Sequence, residues 1–271
     1  MTCPVCLAPL ALAGRTWRCP AGHAFDRARE GYVDLLPVGH GRSGITGDTR
    51  EMARARARFL GAGHYDRLVE RLVARVAGHV QGRESPVVAE AGCGVGHYIG
   101  AIARSLPGAR CYGLDISREA LRVAARAHPG VTFAINDVRH RLTLADASCD
   151  VLLDVFAPRN AAEFRRVLRS DGLLVVVIPG DRHLAGIRDM PGLLDIEPEK
   201  RQRTLDGLAP AFHLAWEEEL EWTTTLAGPS VADLLAMTPG AFHLDAGIPA
   251  TDAARVTFAF RLLGLVPAGG R

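Results

Sequence analysis

Cys3, Cys6, Cys19 and His23 follow the spacing C-x2-C-x12-C-x3-H. Two short turns with two ligands each can close around one ion. Three thiolates and an imidazole suit zinc, which takes sulfur and nitrogen donors in a tetrahedron. With all four positions filled by protein, such an ion is expected to be structural. A second constellation is Glu90-Ala91-Gly92-Cys93-Gly94-Val95-Gly96. Glycines at 92, 94 and 96 let the backbone turn tightly and approach a ligand at the start of a helix. Asp115 stands 19 residues beyond Gly96, where a carboxylate takes ribose hydroxyls in a doubly wound fold. A dinucleotide fits less well, because G-x-G-x-x-G needs glycine where His97 or Ile99 stands. An acidic residue ahead of G-x-G-x-G instead suits S-adenosylmethionine, whose charged groups are an ammonium and a sulfonium. Glu90 is then expected to hold the methionine end, Asp115 the ribose, and Asn136 and Asp137 the adenine edge. Tyr98 stacks on the cofactor or packs the first helix.

These groups need a scaffold, and the apolar pattern supplies one. From Pro86 short apolar runs at 87–90, 111–115, 131–135, 151–156 and 173–178 alternate with helical segments. Ser117 stands where one of those helices begins. This rhythm predicts a parallel, doubly wound sheet. Two longer runs, 216–226 and 256–263, flank a short helix near 230–237 and predict an antiparallel pair at the sheet edge. Upstream, a glycine-rich loop over 38–47 carries Arg42. Asp48 or Thr49 then caps a helix to about residue 60, and a second helix spans 65–80. The expected organisation is a small zinc-binding, RNA-recognition module over 1–36, a linker loop and helices over 37–83, and a class I (Rossmann-like) methyltransferase domain over 84–271.

Charge divides the chain unevenly. Residues 1–83 hold 13 Arg against seven Asp plus Glu, whereas the other 188 residues hold 19 Lys plus Arg against 23 acids. A basic front and an acidic body suit a polyanion gripped by the front. Lys200 is the single lysine, so almost all positive charge is guanidinium, which binds phosphate through two hydrogen bonds at once. No apolar run reaches the roughly 18 residues a membrane span requires. Met1-Thr2-Cys3-Pro4 does not open a secretory signal, so a cytoplasmic protein is expected. Cys93, Cys111 and Cys149 lie in apolar segments and are expected to be buried thiols.

With both parts in view, the chain resembles the RlmA/TlrB family of 23S rRNA guanine-N1 methyltransferases. The resemblance rests on Cys3-Pro4-Val5-Cys6 with Cys19-Pro20-Ala21-Gly22-His23, on Phe25-Asp26 and on Gly31-Tyr32-Val33-Asp34-Leu35-Leu36. It continues through residues 54–60, Gly63-His64-Tyr65, the glycine loop and Phe156-Ala157-Pro158-Arg159-Asn160. Pro179, His183-Leu184 and Met237-Thr238-Pro239 complete it. His97 departs from the aromatic common at that position, and Phe242 stands near a usual tryptophan. The resemblance implies methylation of N1 of one guanine around nucleotides 745–748 in hairpin 35 of 23S rRNA. It also implies a homodimer forming one RNA cleft. Members from antibiotic producers confer resistance to macrolides of the tylosin or mycinamicin type, and residues 156–160 lean toward that branch.

Neutral guanine carries a proton on N1, so transfer needs that proton removed or the anion stabilised while the base is held in line. The base must also be splayed from structured RNA. Arg159 and Asn160 after the fourth strand, His183 after the fifth, and Asp154, which is a candidate base or simply ends the buried fourth strand, are the candidates for this pocket. Arg15, Arg18, Arg27 and Arg29 are expected to meet hairpin phosphates. Two other readings compete. A small-molecule methyltransferase of a biosynthetic pathway has little use for a zinc module and a basic front. A non-catalytic RNA-binding module has little use for an intact cofactor loop.

Overall fold

The computed structural model describes residues 1–36, 47–188, 190, 199–238 and 252–269. Of the loop at 38–47 only Gly47 is among them, and Arg42, Pro239 and Phe242 lie outside. Strands β1 (Ala11–Ala13), β2 (Thr16–Arg18) and β3 (Ala24–Asp26) form a small antiparallel sheet. The turn at Gly14, with φ +64, sits between β1 and β2. β4 (Val33–Asp34) leaves this module and pairs in parallel with β7 (Val131–Ile135) of the main sheet. The N-terminal module therefore extends the methyltransferase sheet. Its Cys3, Leu10, Cys19, Val33 and Leu35 share one apolar core with Ala89, Ala91 and Leu114.

Helix α1 (Arg50–Gly61) is capped by Thr49, whose hydroxyl accepts from the Met52 N–H at 3.3 Å. It buries Met52, Ala53, Phe59 and Leu60. Helix α2 (Asp66–Val80) buries Leu68, Leu72, Val76 and Val80, the spacing of one helical stripe. The remaining elements alternate as β5 (Val87–Ala91), α3 (His97–Ser105), β6 (Arg110–Asp115), α4 (Arg118–Ala127), β7, β8 (Cys149–Val155), α5 (Ala161–Val167) and β9 (Leu168–Pro179). After them come α6 (Lys200–Leu208), β10 (Phe212–Leu226), α7 (Gly228–Ala236) and β11 (Ala254–Pro267).

The eight-stranded order is β10-β11-β9-β8-β5-β6-β7-β4. β9-β8-β5-β6-β7 run parallel as expected, and β11 and β10 form the expected antiparallel edge. Helices α1–α4 and α7 cover one face, and the zinc module with α5 and α6 covers the other. β9 begins at Leu168, earlier than residue 173, because Leu168 pairs with Cys149 ahead of a register shift. α6 and β4 are additions to the sequence reading. Cys93, Cys111 and Cys149 are buried free thiols. Among the described residues no helix is long and apolar enough to cross a membrane.

Candidate active site and metal centre

The four predicted metal ligands converge, with their ligand atoms all within 4.8 Å of one another. Cys19 Sγ lies 3.3 Å from His23 Nδ1, Cys3 Sγ lies 3.6 Å from the same nitrogen, and Cys6 Sγ lies 3.6 Å from Cys19 Sγ. A tetrahedral zinc with ordinary bonds has ligand edges of roughly 3.5–3.8 Å. The donors thus match zinc in chemistry and in size. The Val5 N–H points at Cys3 Sγ at 3.4 Å, the turn that lets Cys3 and Cys6 face one ion.

At the carboxyl end of β5, Gly92, Gly94 and Gly96 have φ of +75, +51 and +75. Each is confined differently. A Cβ on Gly92 would stand 2.4 Å from Ala157 Cβ, and one on Gly96 would meet Phe133 at 2.9 Å. Around Gly94 the nearest atom is Arg56 Cδ at 3.6 Å, so this glycine leaves the open side of the cradle. The Gly94 N–H donates to Asp115 Oδ2, and the Ser117 N–H donates to Oδ1, both at 2.7 Å. Glu90, the one charged residue of β5, is 1% exposed and accepts from the Ile99 N–H at 2.9 Å.

Burial pushes the Glu90 carboxyl well above its ordinary value, and the Ile99 N–H opposes this only in part. Burial likewise raises Asp115 despite its two backbone donors. The buried Glu90 and the half-buried Asp115 set two carboxyl groups beside an open glycine cradle, and burial disfavours their negative charge unless a positive group lies against it. A ligand bearing an ammonium and a sulfonium supplies that positive charge, and S-adenosylmethionine fits these residues.

Asn136 and Asp137 do reach the end of β7, but both are engaged within the fold. Asn136 Nδ2 donates to the Arg141 carbonyl at 3.2 Å, although its buried Oδ1 has no partner among the described residues. Asp137 is held by the Arg139 guanidinium, with Nε at 2.9 Å. That contact lowers its pKa, against burial. Tyr98 is buried in the first turn of α3, and His97 beside it is held by burial to about 4.

Asp154 is fully buried near the end of β8, and burial raises it to about 8. Strand alternation sends Val151, Leu153 and Val155 to the Glu90 face, so Asp154 points to the opposite one. There it pairs with Arg159 at 3.4 Å. Arg159 lines a cavity of about 190 Å³ with Lys200 and Thr204 of α6. Asn160 caps α5, accepting from the Glu163 N–H and donating to the Arg139 carbonyl at 3.0 Å. His183 Nδ1 accepts from the Ala259 N–H at 3.3 Å, and burial holds its imidazolium down to about 3. It is therefore a neutral ring carrying its proton on Nε2.

Three further residues belong to this edge. Asp48 and Arg56 form an ion pair at 2.7 Å, and the Asp48 carbonyl accepts from Ser117 Oγ at 2.7 Å, strapping α1 over the cofactor loop. Phe156 is 41% exposed with φ +57, and its ring centroid lies 5.5 Å from Phe260. The His183 ring lies 4.7 Å from the same Phe260. Phe156 and His183 thus flank one aromatic wall on the Glu90 face. No spacing rule marks Phe156; its backbone conformation and exposure do.

Residues 1–44 match the RlmA N-terminal zinc-ribbon family, and residues 88–172 match a methyltransferase domain family. Over 246 residues the chain is 41% identical to the 23S rRNA (guanine(748)-N(1))-methyltransferase of Streptomyces fradiae, covering 90% of this chain and 86% of that one. The chain belongs to the 23S rRNA (guanine-N1)-methyltransferase family. A Micromonospora griseorubida protein provisionally described as such an enzyme is 44% identical over 272 residues, 94% of this chain and 90% of that one. A Bacillus halodurans protein provisionally described as a methyltransferase shares the fold, with a TM-score of 0.50 at 14% identity over 72% of this chain and 97% of that one. The family's methyltransferase fold and zinc ribbon both agree with the sequence reading.

Proposed function

We propose that this protein transfers the methyl group of S-adenosylmethionine to N1 of a guanine in hairpin 35 of 23S rRNA, in the 745–748 region. The reading is carried by likeness to enzymes of this activity over nearly the whole chain, in a molecule whose Glu90, glycine loop and Asp115 assemble one cation-seeking site. The S. fradiae relative is named for guanine 748, which favours that nucleotide and a macrolide-resistance role. A homodimer sharing one RNA cleft and a cytoplasmic location belong to the same proposal.

The bound cofactor supplies an electrophilic methyl on a sulfonium. The protein must hold the guanine edge and stabilise negative charge over N1 and O6 as the N1 proton passes to solvent water. Phe156 offers an exposed ring on which a splayed base can stack. The neutral His183 presents Nε2–H as a donor for O6, and with so low a pKa it does not act as a base near neutral pH. Arg159, beside Asp154 and α6 on the opposite face of the sheet, adds positive charge to this carboxyl edge only at longer range. Asp154 faces away from the cofactor loop, so we assign it to positioning Arg159 rather than to proton abstraction. Asn160 sets the start of α5 and the loop that carries Arg159.

The test is label transfer from S-adenosylmethionine to 23S rRNA that lacks the modification, followed by digestion to nucleosides. The expected product is 1-methylguanosine, formed at a rate that falls steeply with salt. Transfer to a small acceptor, insensitive to salt, would favour the biosynthetic alternative.

A further inference from the structure

A second cavity, of about 360 Å³, lies where three distant stretches of chain meet. The zinc module brings Arg29, α1 brings Arg50 and Arg54, and α4 brings Arg122 and Arg126. Among the described residues the acids in its wall are Glu30 and Glu119. Each glutamate is shared between two arginines: Glu119 between Arg50 at 3.1 Å and Arg122 at 2.6 Å, and Glu30 between Arg126 at 3.0 Å and Arg29 at 3.8 Å. Five guanidinium groups against two carboxylates leave a surplus of positive charge.

The arrangement of that charge is directional. The Glu30 and Glu119 side chains are 13% and 27% exposed, whereas those of Arg29, Arg50 and Arg126 are 85%, 56% and 60% exposed. The acids form the floor and the guanidinium groups the rim, so an approaching ligand meets positive charge first. Arg54 is exposed and pairs with no acid among the described residues. The buried Arg122 Nε also lacks a partner there. Arg54 thus stands outside the ion-pair network of the described residues, with its guanidinium open to an external anion.

We propose that this cavity docks phosphodiester groups of the RNA substrate, separately from the cleft that receives the guanine. The inference rests on the rRNA reading above. Guanidinium forks grip phosphate oxygens in pairs, and such contacts fix the register of an RNA without reading its bases. The cavity adjoins the cofactor edge: Glu119 stands in the first turn of α4, four residues after Asp115 ends β6, and Ser117 between them bonds the strap that begins α1. Because Arg29 and Glu30 come from the zinc module, the ribbon completes the site rather than merely preceding it.

The test uses the full-length, zinc-loaded protein and a transcribed 23S rRNA fragment containing hairpin 35. Binding is titrated against KCl for the wild type, Arg54→Gln, Arg29→Gln/Arg54→Gln and Arg54→Lys. Arg54→Gln breaks no ion pair among the described residues, so melting temperature and S-adenosylmethionine affinity should hold. The expected result is an affinity about three- to tenfold weaker at low salt for each arginine removed. The plot of log affinity against log salt should flatten by about one per lost contact, and Arg54→Lys should recover most of the loss. Wild-type affinity and slope in both Gln variants would overturn the proposal and leave the cavity as an ion-pair network. A loss that tracks weakened cofactor binding would overturn it as well. A wild type with no salt-dependent affinity for the fragment would overturn the rRNA reading itself, and this inference with it.

Discussion

Replacing Phe156 by glycine should separate activity from stability. Phe156 holds φ +57, a left-handed conformation that costs a non-glycine residue about 1–2 kcal/mol. Glycine releases that strain but adds about 0.5–1 kcal/mol of backbone entropy to be lost on folding. The ring is 41% exposed, so roughly half of the 1.5–3 kcal/mol for burying a large apolar side chain is forfeited. Loss of the Phe260 contact adds about 0.5–1.5 kcal/mol. The net destabilisation is therefore only about 1 kcal/mol. A stacked base is worth about 1–3 kcal/mol, so kcat/KM for RNA should fall about 5- to 150-fold. The assay is label transfer to 23S rRNA, with urea unfolding and cofactor titration on the same samples. Phe156→Tyr should keep most of the activity. A glycine variant within twofold of wild-type kcat/KM would refute the stacking role. So would a cofactor affinity that falls in parallel with activity.

Other expectations follow from the same geometry. Gly92→Ala meets both φ +75 and a contact of 2.4 Å with Ala157, and should cost about 2–5 kcal/mol in urea unfolding. Gly14→Ala, at φ +64 with nothing within 4 Å, should cost only about 1–2 kcal/mol. His183 has a folded pKa of about 3, below the roughly 6.5 of an unfolded histidine. Its contribution is thus fully present above about pH 6.5 and is lost as pH falls toward 3. Wild-type stability should drop by up to about 2 kcal/mol more than that of His183→Gln between pH 6.5 and 5. Chelation of the metal should release one zinc per chain. Because Cys3 and Cys19 share a core with Ala89 and Leu114, chelation should lower a single melting transition by about 10 °C or more.

Much of the site is legible because its chemistry needs fixed spacings. Cys3, Cys6, Cys19 and His23 must sit on tight turns to surround one ion. The glycines at 92, 94 and 96 are required by left-handed backbone and close packing, and Ser117 and Thr49 advertise helix starts through their side chains. The strands announce themselves as apolar runs because a parallel sheet covered on both faces buries each side chain. What escapes is set by tertiary packing. β4 is two residues long, and only its docking beside β7 makes it a strand. α6 is rich in Lys and Arg, with just Thr204 and Leu208 buried, so no apolar stripe marks it. Asp154 and Arg159 are visible as candidates, yet which sheet face Asp154 occupies depends on register. Asn160 resembles a contact residue in sequence, but its amide is spent on a helix cap and a neighbouring loop.

The most direct test of the account is primer extension across hairpin 35 of 23S rRNA after incubation with the enzyme and S-adenosylmethionine. A methyl on guanine N1 blocks Watson–Crick pairing and halts reverse transcription. The account predicts a new, cofactor-dependent stop at a single guanine in the 745–748 region, with 748 favoured. Unchanged read-through of the hairpin, from an enzyme that binds the cofactor and the RNA, would contradict it.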